Sequence, residues 1–388
     1  MAEKINDEIF WLGVNSPDSR HFHGIPSPRG GSYNSYLILD GQPTIIDGTN
    51  KPFFDGYVES LKSVIDPLKV AYIVVNHAEN DHAGAMKEIT ELCRNAKVVC
   101  TEKGKEFLET AFGVKAEFHI VKENDELSIG KRKMRFIMDP MVHWPETMIT
   151  YLVEDKIVFT ADLFSTEIGH EHLFADEYEP FEDNTLDYFS LIFRPYHTSV
   201  RRAVDSVKKL ELSMIAPSHG PVYRKGMDKI IAYYDKLLDH PEDNKVLIVY
   251  YSIWSSTQKM AQKVAEGVQA EGFEAKVVDI YGAEMVDLMS QALTSKAIAL
   301  GSLNMINHYY PLFDALFKFL EMNSQKGKKA AVFGSHGWAP LSAHKLKAGL
   351  EAIGYNVVGD VDLLFGMRSP EDEAKLVELG KSLVRAVK

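Results

Sequence analysis

The chain has 388 residues, with 43 lysines and arginines against 55 aspartates and glutamates and a formal net charge of −12. That length exceeds what one hydrophobic core usually serves, so two domains are expected; the charge argues against nucleic acid or an anionic membrane surface as a partner. Cys93 and Cys100 are the only cysteines. They form no Cys-x-x-Cys pair, so no cysteine-ligated iron centre can be built here, and both are expected to be reduced and buried.

Met1 to Asp7 carry no basic segment leading into an apolar one, and no apolar run approaches membrane-spanning length. A cytoplasmic location is therefore expected. Residues 9 to 48 read as strands at Ile9–Val14, Tyr33–Leu39 and Thr44–Asp47, with a turn at Asp40-Gly41. The long loop before Tyr33 contains Arg20-His21-Phe22-His23-Gly24-Ile25-Pro26, and loops of that length in compact domains are often functional. A helix from Phe53 to Val64 leads to a strand over Val70–Asn76.

That strand runs straight into His77-Ala78-Glu79-Asn80-Asp81-His82, a dense set of metal-capable side chains. Open sheets place their chemistry at the carboxyl ends of strands. His77, Glu79 and Asp81 alternate, so an extended backbone could aim them at one pocket, with His82 pointing elsewhere unless the chain bends. An exposed polar loop is the plain alternative. Helix 83–93, strand Lys97–Cys100, helix 104–112 and strand Glu117–Val121 continue an alternating α/β order. A meander follows from Asp125 to Asp162, then helices 185–193 and 198–211, strand Met214–Pro217 and helix 226–239. His143, Asp162 and His219 each stand just after an apolar, strand-like run. With His77, Glu79 and Asp81 they supply imidazoles and carboxylates enough for two metal ions if one carboxylate bridges. Such a set suits zinc or iron.

Asp239-His240-Pro241-Glu242-Asp243-Asn244 is short, polar and broken by proline, which places a domain boundary between 243 and 244. Beyond it, Val246–Tyr250, Ala275–Asp279, Ala297–Gly301, Ala330–Gly334 and Asn356–Leu364 are apolar strands alternating with helices. That pattern calls for a doubly wound parallel sheet. Tyr251-Ser252-Ile253-Trp254-Ser255-Ser256-Thr257-Gln258 enters the first helix with hydroxyls and no lysine. It can cradle an anion without being a nucleotide P-loop, although a Ser/Thr helix cap accounts for it equally well. Gly301-Ser302-Leu303-Asn304 and Ser335-His336-Gly337-Trp338 end the third and fourth strands at the same edge. A flat ring with polar edges asks for such loops, with Trp338 stacking on it, Trp254 at its rim, and His336 and Asn304 at its polar side.

The run His77-x-Glu79-x-Asp81-His82 followed by His143, Asp162 and His219 resembles the metallo-β-lactamase superfamily, whose first motif reads His-x-His-x-Asp-His. With Glu79 where the second histidine would stand, the pattern is similar to the flavodiiron proteins (A-type flavoproteins). The resemblance covers essentially the whole chain. It implies an αββα metallo-β-lactamase-like sandwich over residues 1–243 and a flavodoxin-like domain over 244–388. It implies FMN and a di-iron centre, and reduction of dioxygen to water or of nitric oxide to nitrous oxide. By position, His77, Glu79 and His143 would hold one iron, Asp81 and His219 the other, and Asp162 would bridge; His82 matches a position that is a ligand in some members and displaced in others. The flavin would lie among Ser252, Ile253, Trp254, Ser255, Ser256 and Thr257, Ser302, Leu303 and Asn304, and Ser335, His336, Gly337 and Trp338. Tyr196, His21 and His23 would shape the substrate pocket. A separate electron donor, rubredoxin or reduced coenzyme F420, and a head-to-tail homodimer or dimer of dimers are also implied. Two other readings stay open. A zinc hydrolase with an appended flavodoxin is opposed by Glu79, and a flavin electron carrier with a degenerate metal domain is opposed by six filled ligand positions.

Overall fold

In the computed structural model all residues are described except 17–20, 23, 24, 27–29, 170, 171, 179, 180, 240 and 324, together with the side chains of residues 21, 22, 25 and 26. The chain divides into two units, residues 1–238 and 239–388. The first is built on two sheets. The larger has seven strands in the order Glu3–Lys4, Ile9–Trp11, Tyr36–Ile38, Thr44–Ile46, Tyr72–Val74, Lys97–Cys100 and Phe118–Ile120. The smaller has five, in the order Glu126–Ser128, Lys133–Met138, Met148–Leu152, Ile157–Phe159 and Met214–Ala216.

Successive side chains of a strand point to opposite faces, and this period sorts the apolar residues into two cores. Tyr36, Ile38, Ile46, Val74 and Val99 of the larger sheet meet Met134, Phe136, Met148, Leu152 and Phe159 of the smaller. Leu37, Ile45, Ile73 and Val98, one residue out of phase, pack instead on Tyr57, Leu61, Met86, Ile89 and Leu108 of the helices outside. Each such side chain, fully buried, contributes about 1.5–3 kcal/mol. The result is the αββα sandwich. Cys93 and Cys100 are both free and buried in it.

Local endings differ from the sequence reading for identifiable reasons. The strand expected to reach Asn76 stops at Val74, because the Asn76 N–H donates to the Asp47 carboxylate rather than to a neighbouring strand. The helix expected over 83–93 begins earlier, as a helical turn at Asn80–Ala83, and resumes at Met86–Leu92. The helix Glu102–Phe112 is capped by the Thr101 hydroxyl and ends at Gly113 with φ +67°, the left-handed conformation in which glycine costs least. The helix expected at 185–193 runs from Glu182 to Tyr188 and continues as a π-helical segment, Phe189–Phe193.

The second unit carries one parallel sheet in the order Glu274–Asp279, Asp243–Tyr251, Ser295–Leu303, Lys329–His336 and Asn356–Leu364. This is the flavodoxin-like order, with the first strand in second place. Helices Ser256–Ala270 and Pro370–Arg385 cover one face through Met260, Val264, Leu376 and Leu383. Helices Met285–Thr294, Leu312–Met322 and Ser342–Ala352 cover the other through Leu288, Phe313, Leu316, Leu346 and Leu350. The two helices on the first face meet at glycines. A Cβ on Gly267 would collide with the Val377 carbonyl, and one on Gly380 with the Val264 carbonyl.

Gly380→Val must push the crossing helices apart, an overpacking penalty of about 1–3 kcal/mol; urea unfolding is expected to show it, and an unchanged midpoint would contradict the crossing. Asp139 closes the loop 139–147 by backbone bonds with Val142 and Thr147. Its carboxyl is buried with neither oxygen hydrogen-bonded among the described residues. Burial pushes it up to about 7, with Arg202 opposing and Glu123 adding to the rise. A carboxyl raised by folding lowers stability as pH climbs past its unfolded value, and the loss is complete above the folded one. Asp139→Asn is therefore expected to gain on the native chain from about pH 4 to about pH 7, at roughly 1.4 kcal/mol per pH unit. Parallel stability curves for the two proteins would refute the assignment.

Candidate active site

The segment after Val74 is fixed where the two sheets of the first unit meet. Asn76 donates from its backbone and side chain to Asp47, at 2.7 and 3.2 Å. Asp47 stands directly after the neighbouring strand Thr44–Ile46, with φ +54°. The Asn76 side-chain oxygen accepts from the Thr150 hydroxyl of the smaller sheet at 2.6 Å, and its carbonyl accepts from the Met148 N–H. One residue thus ties both sheets together directly before His77. The next carboxylate, Glu146, accepts from the Ala78 N–H at 2.9 Å and faces His77 Nδ1 at 2.7 Å. That contact fixes the ring, so Nε2 is the nitrogen turned to the site.

His77, Glu79, His143 and Asp162 form one group with all ligand atoms within 4.8 Å of one another, and Asp81, His82 and His219 form a second. Asp162 faces both. Its Oδ2 is 3.4 Å from His77 Nε2 and 3.3 Å from His143 Nε2, while Oδ1 is 3.1 Å from His82 Nε2 and 3.4 Å from His219 Nε2. Glu79 Oε2 lies 3.2 Å from His77 Nε2 and 3.0 Å from His143 Nε2. Asp81 Oδ2 lies 3.2 Å from His219 Nε2. His219 is held from behind by the Ser32 carbonyl, 2.7 Å from Nδ1.

His82, which alternation pointed elsewhere, stands in the second group. The chain turns into a helix at Asn80, and the period of two no longer applies.

These residues fit a pair of metal ions. Neither oxygen of Asp162, 1% exposed, accepts a hydrogen bond among the described residues, and neither His82 Nε2 nor His143 Nε2 makes one, although all lie 3.0–3.4 Å from opposite partners. Groups this deep are otherwise satisfied; atoms close together yet misaligned for a shared proton are aligned toward a common third point. Burial alone would depress the His77 and His219 imidazoliums, but Asp162 with Glu146 and Glu79 for the first, and Asp162 with Asp81 for the second, raise both well above their ordinary value. His143 is likewise raised to about 9 against the effect of burial, by Asp162 and Glu79. Burial would lift the Asp162 carboxyl, yet His82 and His77 hold it well below the usual range. Metal binding to such a set displaces protons.

Aromatic rings wall the cluster. Trp144 stands edge-on to His77, centroids 5.4 Å apart, and Tyr196, half-buried, is 6.4 Å from His143. Tyr33 and Tyr188 lie 5.8 and 6.2 Å from His219. His21 is described only as backbone in the strand His21–Phe22, and His23 lies outside the described residues. Glu146, Asp47, Ser32 and Trp144 were not singled out in the sequence. Asp47 follows an apolar strand like the other carboxylates, and Glu146 shares the loop of His143.

In the second unit the three loops gather at the carboxyl edge of the parallel sheet. Ser252 to Ser255 lead into the helix Ser256–Ala270, with Ser255 at φ +61°. Thr257 is buried, and neither its hydroxyl nor that of Ser252 has a hydrogen-bond partner among the described residues. Two unsatisfied hydroxyls at a long helix's N-terminus fit a phosphate. The Asn304 N–H donates to the Ser335 carbonyl and its side chain to the Ala339 carbonyl, joining the second loop to the third. Trp254 and Trp338 are 87% and 71% exposed, so neither is a core tryptophan; Ile253 is about half exposed beside them. Together the loops offer hydroxyls for a phosphate and open indole faces for a planar ring, the two ends of FMN.

Family models match both units: ODP family beta lactamase over residues 32–220 and flavodoxin over residues 248–380. The chain is 32% identical to a nitric oxide reductase of Moorella thermoacetica, covering 99% of this chain and 98% of that one. Among solved structures it superposes on rubredoxin oxygen:oxidoreductase from the anaerobe Desulfovibrio gigas with a TM-score of 0.94 at 28% identity, covering 100% of this chain and 98% of that one. It superposes on the flavodiiron protein from Giardia intestinalis with a TM-score of 0.95 at 28% identity, covering 100% and 97%. With a lactamase-like unit and a flavodoxin-like unit in one order, and this identity over nearly the full length of a relative, the chain belongs to the flavodiiron protein family.

Proposed function

We propose that this chain is an FMN- and di-iron-dependent oxidoreductase that takes electrons from a separate soluble carrier and reduces dioxygen to water or nitric oxide to nitrous oxide. The observation that carries this reading is the division of Asp162, one oxygen toward each group of ligands. In it His77, Glu79 and His143 would hold one iron, Asp81, His82 and His219 would hold the other, and Asp162 would be shared between them. When bound, the flavin supplies electrons in pairs and the iron pair supplies the positions at which a diatomic gas is reduced.

The protein's own part is placement. Glu146 fixes the tautomer of His77, as carboxylates behind metal-binding histidines do. The Asp47–Asn76–Thr150 link holds the first ligand segment against both sheets, so the ligands do not have to be gathered when metal arrives. Tyr196, beside His143, can donate its phenolic hydrogen to a bound diatomic. His21 and His23 belong to the same reading as pocket residues. In the second unit Ser252, Thr257 and the N-terminal N–H groups of the helix beginning at Ser256 would hold the phosphate, and Ile253, Trp254, Ser255, Ser302, Leu303, Asn304, Ser335, His336, Gly337 and Trp338 would lie around the ring.

The donor fits a rubredoxin or reduced coenzyme F420, since the chain has no cysteine-ligated centre to relay electrons itself. A head-to-tail homodimer and a cytoplasmic location complete the reading; among the described residues no helix is long and apolar enough to cross a membrane.

Asp162→Ala tests the proposal. Removing a shared ligand is expected to lower oxygen and nitric oxide consumption by more than the ~10–100-fold typical of an outer partner, with less than two irons per chain retained and the flavin absorbance intact. Unchanged turnover would refute the bridging role. Stoichiometric zinc with ester or lactam turnover in the native chain would favour the hydrolase reading instead.

A further inference from the structure

His336, placed above only as a residue beside the ring, forms a titratable pair with Asp362, which has no role in the reading above. His336 is the last residue of the fourth strand of the parallel sheet, and Asp362 lies on the neighbouring fifth strand, paired in register with Gly334. His336 Nδ1 is 3.3 Å from Asp362 Oδ1, and each side chain is 12% exposed. Gly334 makes the room: a Cβ there would lie 3.0 Å from Asp362 Cγ and 2.6 Å from the Ser342 hydroxyl. The other oxygen, Oδ2, is buried without a hydrogen-bond partner among the described residues. Asp362 is thus positioned against the imidazole, with backbone hydrogen bonds from Ala343 and Leu363 also reaching its carboxylate.

We propose that His336, backed by Asp362, is the proton acceptor coupled to reduction of the flavin. The inference rests on the flavin reading above. With Nδ1–H directed at the carboxylate, Nε2 is the basic nitrogen. No hydrogen bond engages it among the described residues, and it belongs to a loop that frames the ring. Two successive one-electron transfers from the soluble carrier, with one proton from solvent, would leave the ring two electrons reduced and carrying one negative charge. His336 takes the second proton from solvent at Nε2, so the imidazolium balances that charge and the carboxylate stabilises the imidazolium from behind.

The charged groups around the pair leave this coupling intact. Asp360, on the same strand as Asp362, is compensated by Lys347 of the helix Ser342–Ala352, Nζ to Oδ1 3.3 Å. His344 and Glu351 of that helix line a cleft of about 390 Å³ with Asp362. On the remaining side the Phe365 N–H donates to the His336 carbonyl at 2.7 Å, and the Arg368 guanidinium lies over the Phe365 ring at 6.0 Å. Burial raises the Asp362 carboxyl, and His336 is the first group opposing that rise, followed by the backbone N–H groups of Ala343 and Leu363.

The test is the flavin midpoint potential against pH for the FMN-loaded native chain, His336→Gln and Asp362→Asn. Between the imidazole's values in the oxidised and reduced protein, one extra proton enters and the potential falls more steeply with pH. The native chain is expected to show that steep window. His336→Gln should lose it, and Asp362→Asn should move it to lower pH, because the charge facing the imidazole is gone. FMN titration of each apoprotein separates the alternatives. A native chain that binds no FMN overturns the flavin reading itself, whereas FMN bound normally with one slope shared by all three proteins overturns the proton role alone. Weakened FMN binding with an unchanged window would make His336 merely structural and would equally overturn it.

Discussion

One carboxylate, buried between two groups of ligands, governs how the first unit is arranged. Asp162 stands just past the end of the strand Ile157–Phe159, whose neighbours in the sheet are Met148–Leu152 and Met214–Ala216. Its oxygens can face His77 and His143 on one side and His82 and His219 on the other only if the larger sheet delivers the first ligand segment to the same edge. The Asp47–Asn76–Thr150 link meets that demand, spanning the two sheets with hydrogen bonds between buried groups. Burying so many charges is unfavourable unless they are paired. Here the carboxylates Glu79, Asp81 and Asp162 are each answered by imidazoles.

Much of this was legible in the sequence because strands announce their ends. His77, His143, Asp162 and His219 each follow an apolar run, and open sheets carry chemistry at such points. The five strands of the second unit were legible for a related reason: buried on both faces, they read as continuous apolar runs. What was not legible depends on where the backbone turns. His82 looked misdirected because alternation was extended past Glu79, where the chain already bends into a helical turn. Glu146 gave no periodic signal, being a loop residue whose role depends on a hydrogen bond to His77, 69 positions away in sequence. Asp47 was visible as a strand end, but its service to Asn76 is a contact between neighbouring strands that no local pattern encodes.

The second unit solves a different problem with weaker interactions. A metal pair can be enclosed by charged side chains, whereas a flavin needs open aromatic faces and backbone donors. Accordingly Trp254 and Trp338 stand exposed, while the hydroxyls of Ser252 and Thr257 remain unsatisfied at a helix N-terminus. The loops are steadied by each other: Asn304 ties the second to the third, and Trp338 donates its indole N–H to Asn307 at 3.1 Å. Loops can carry binding residues in this way when a rigid sheet fixes their ends.

On the proposed function two irons would share the Asp162 carboxylate. Mössbauer and magnetisation measurements on iron-loaded native protein test it most directly. Two irons per chain with their spins coupled to one another are the expected result; a single iron, or two irons that behave as magnetically independent centres, would contradict it.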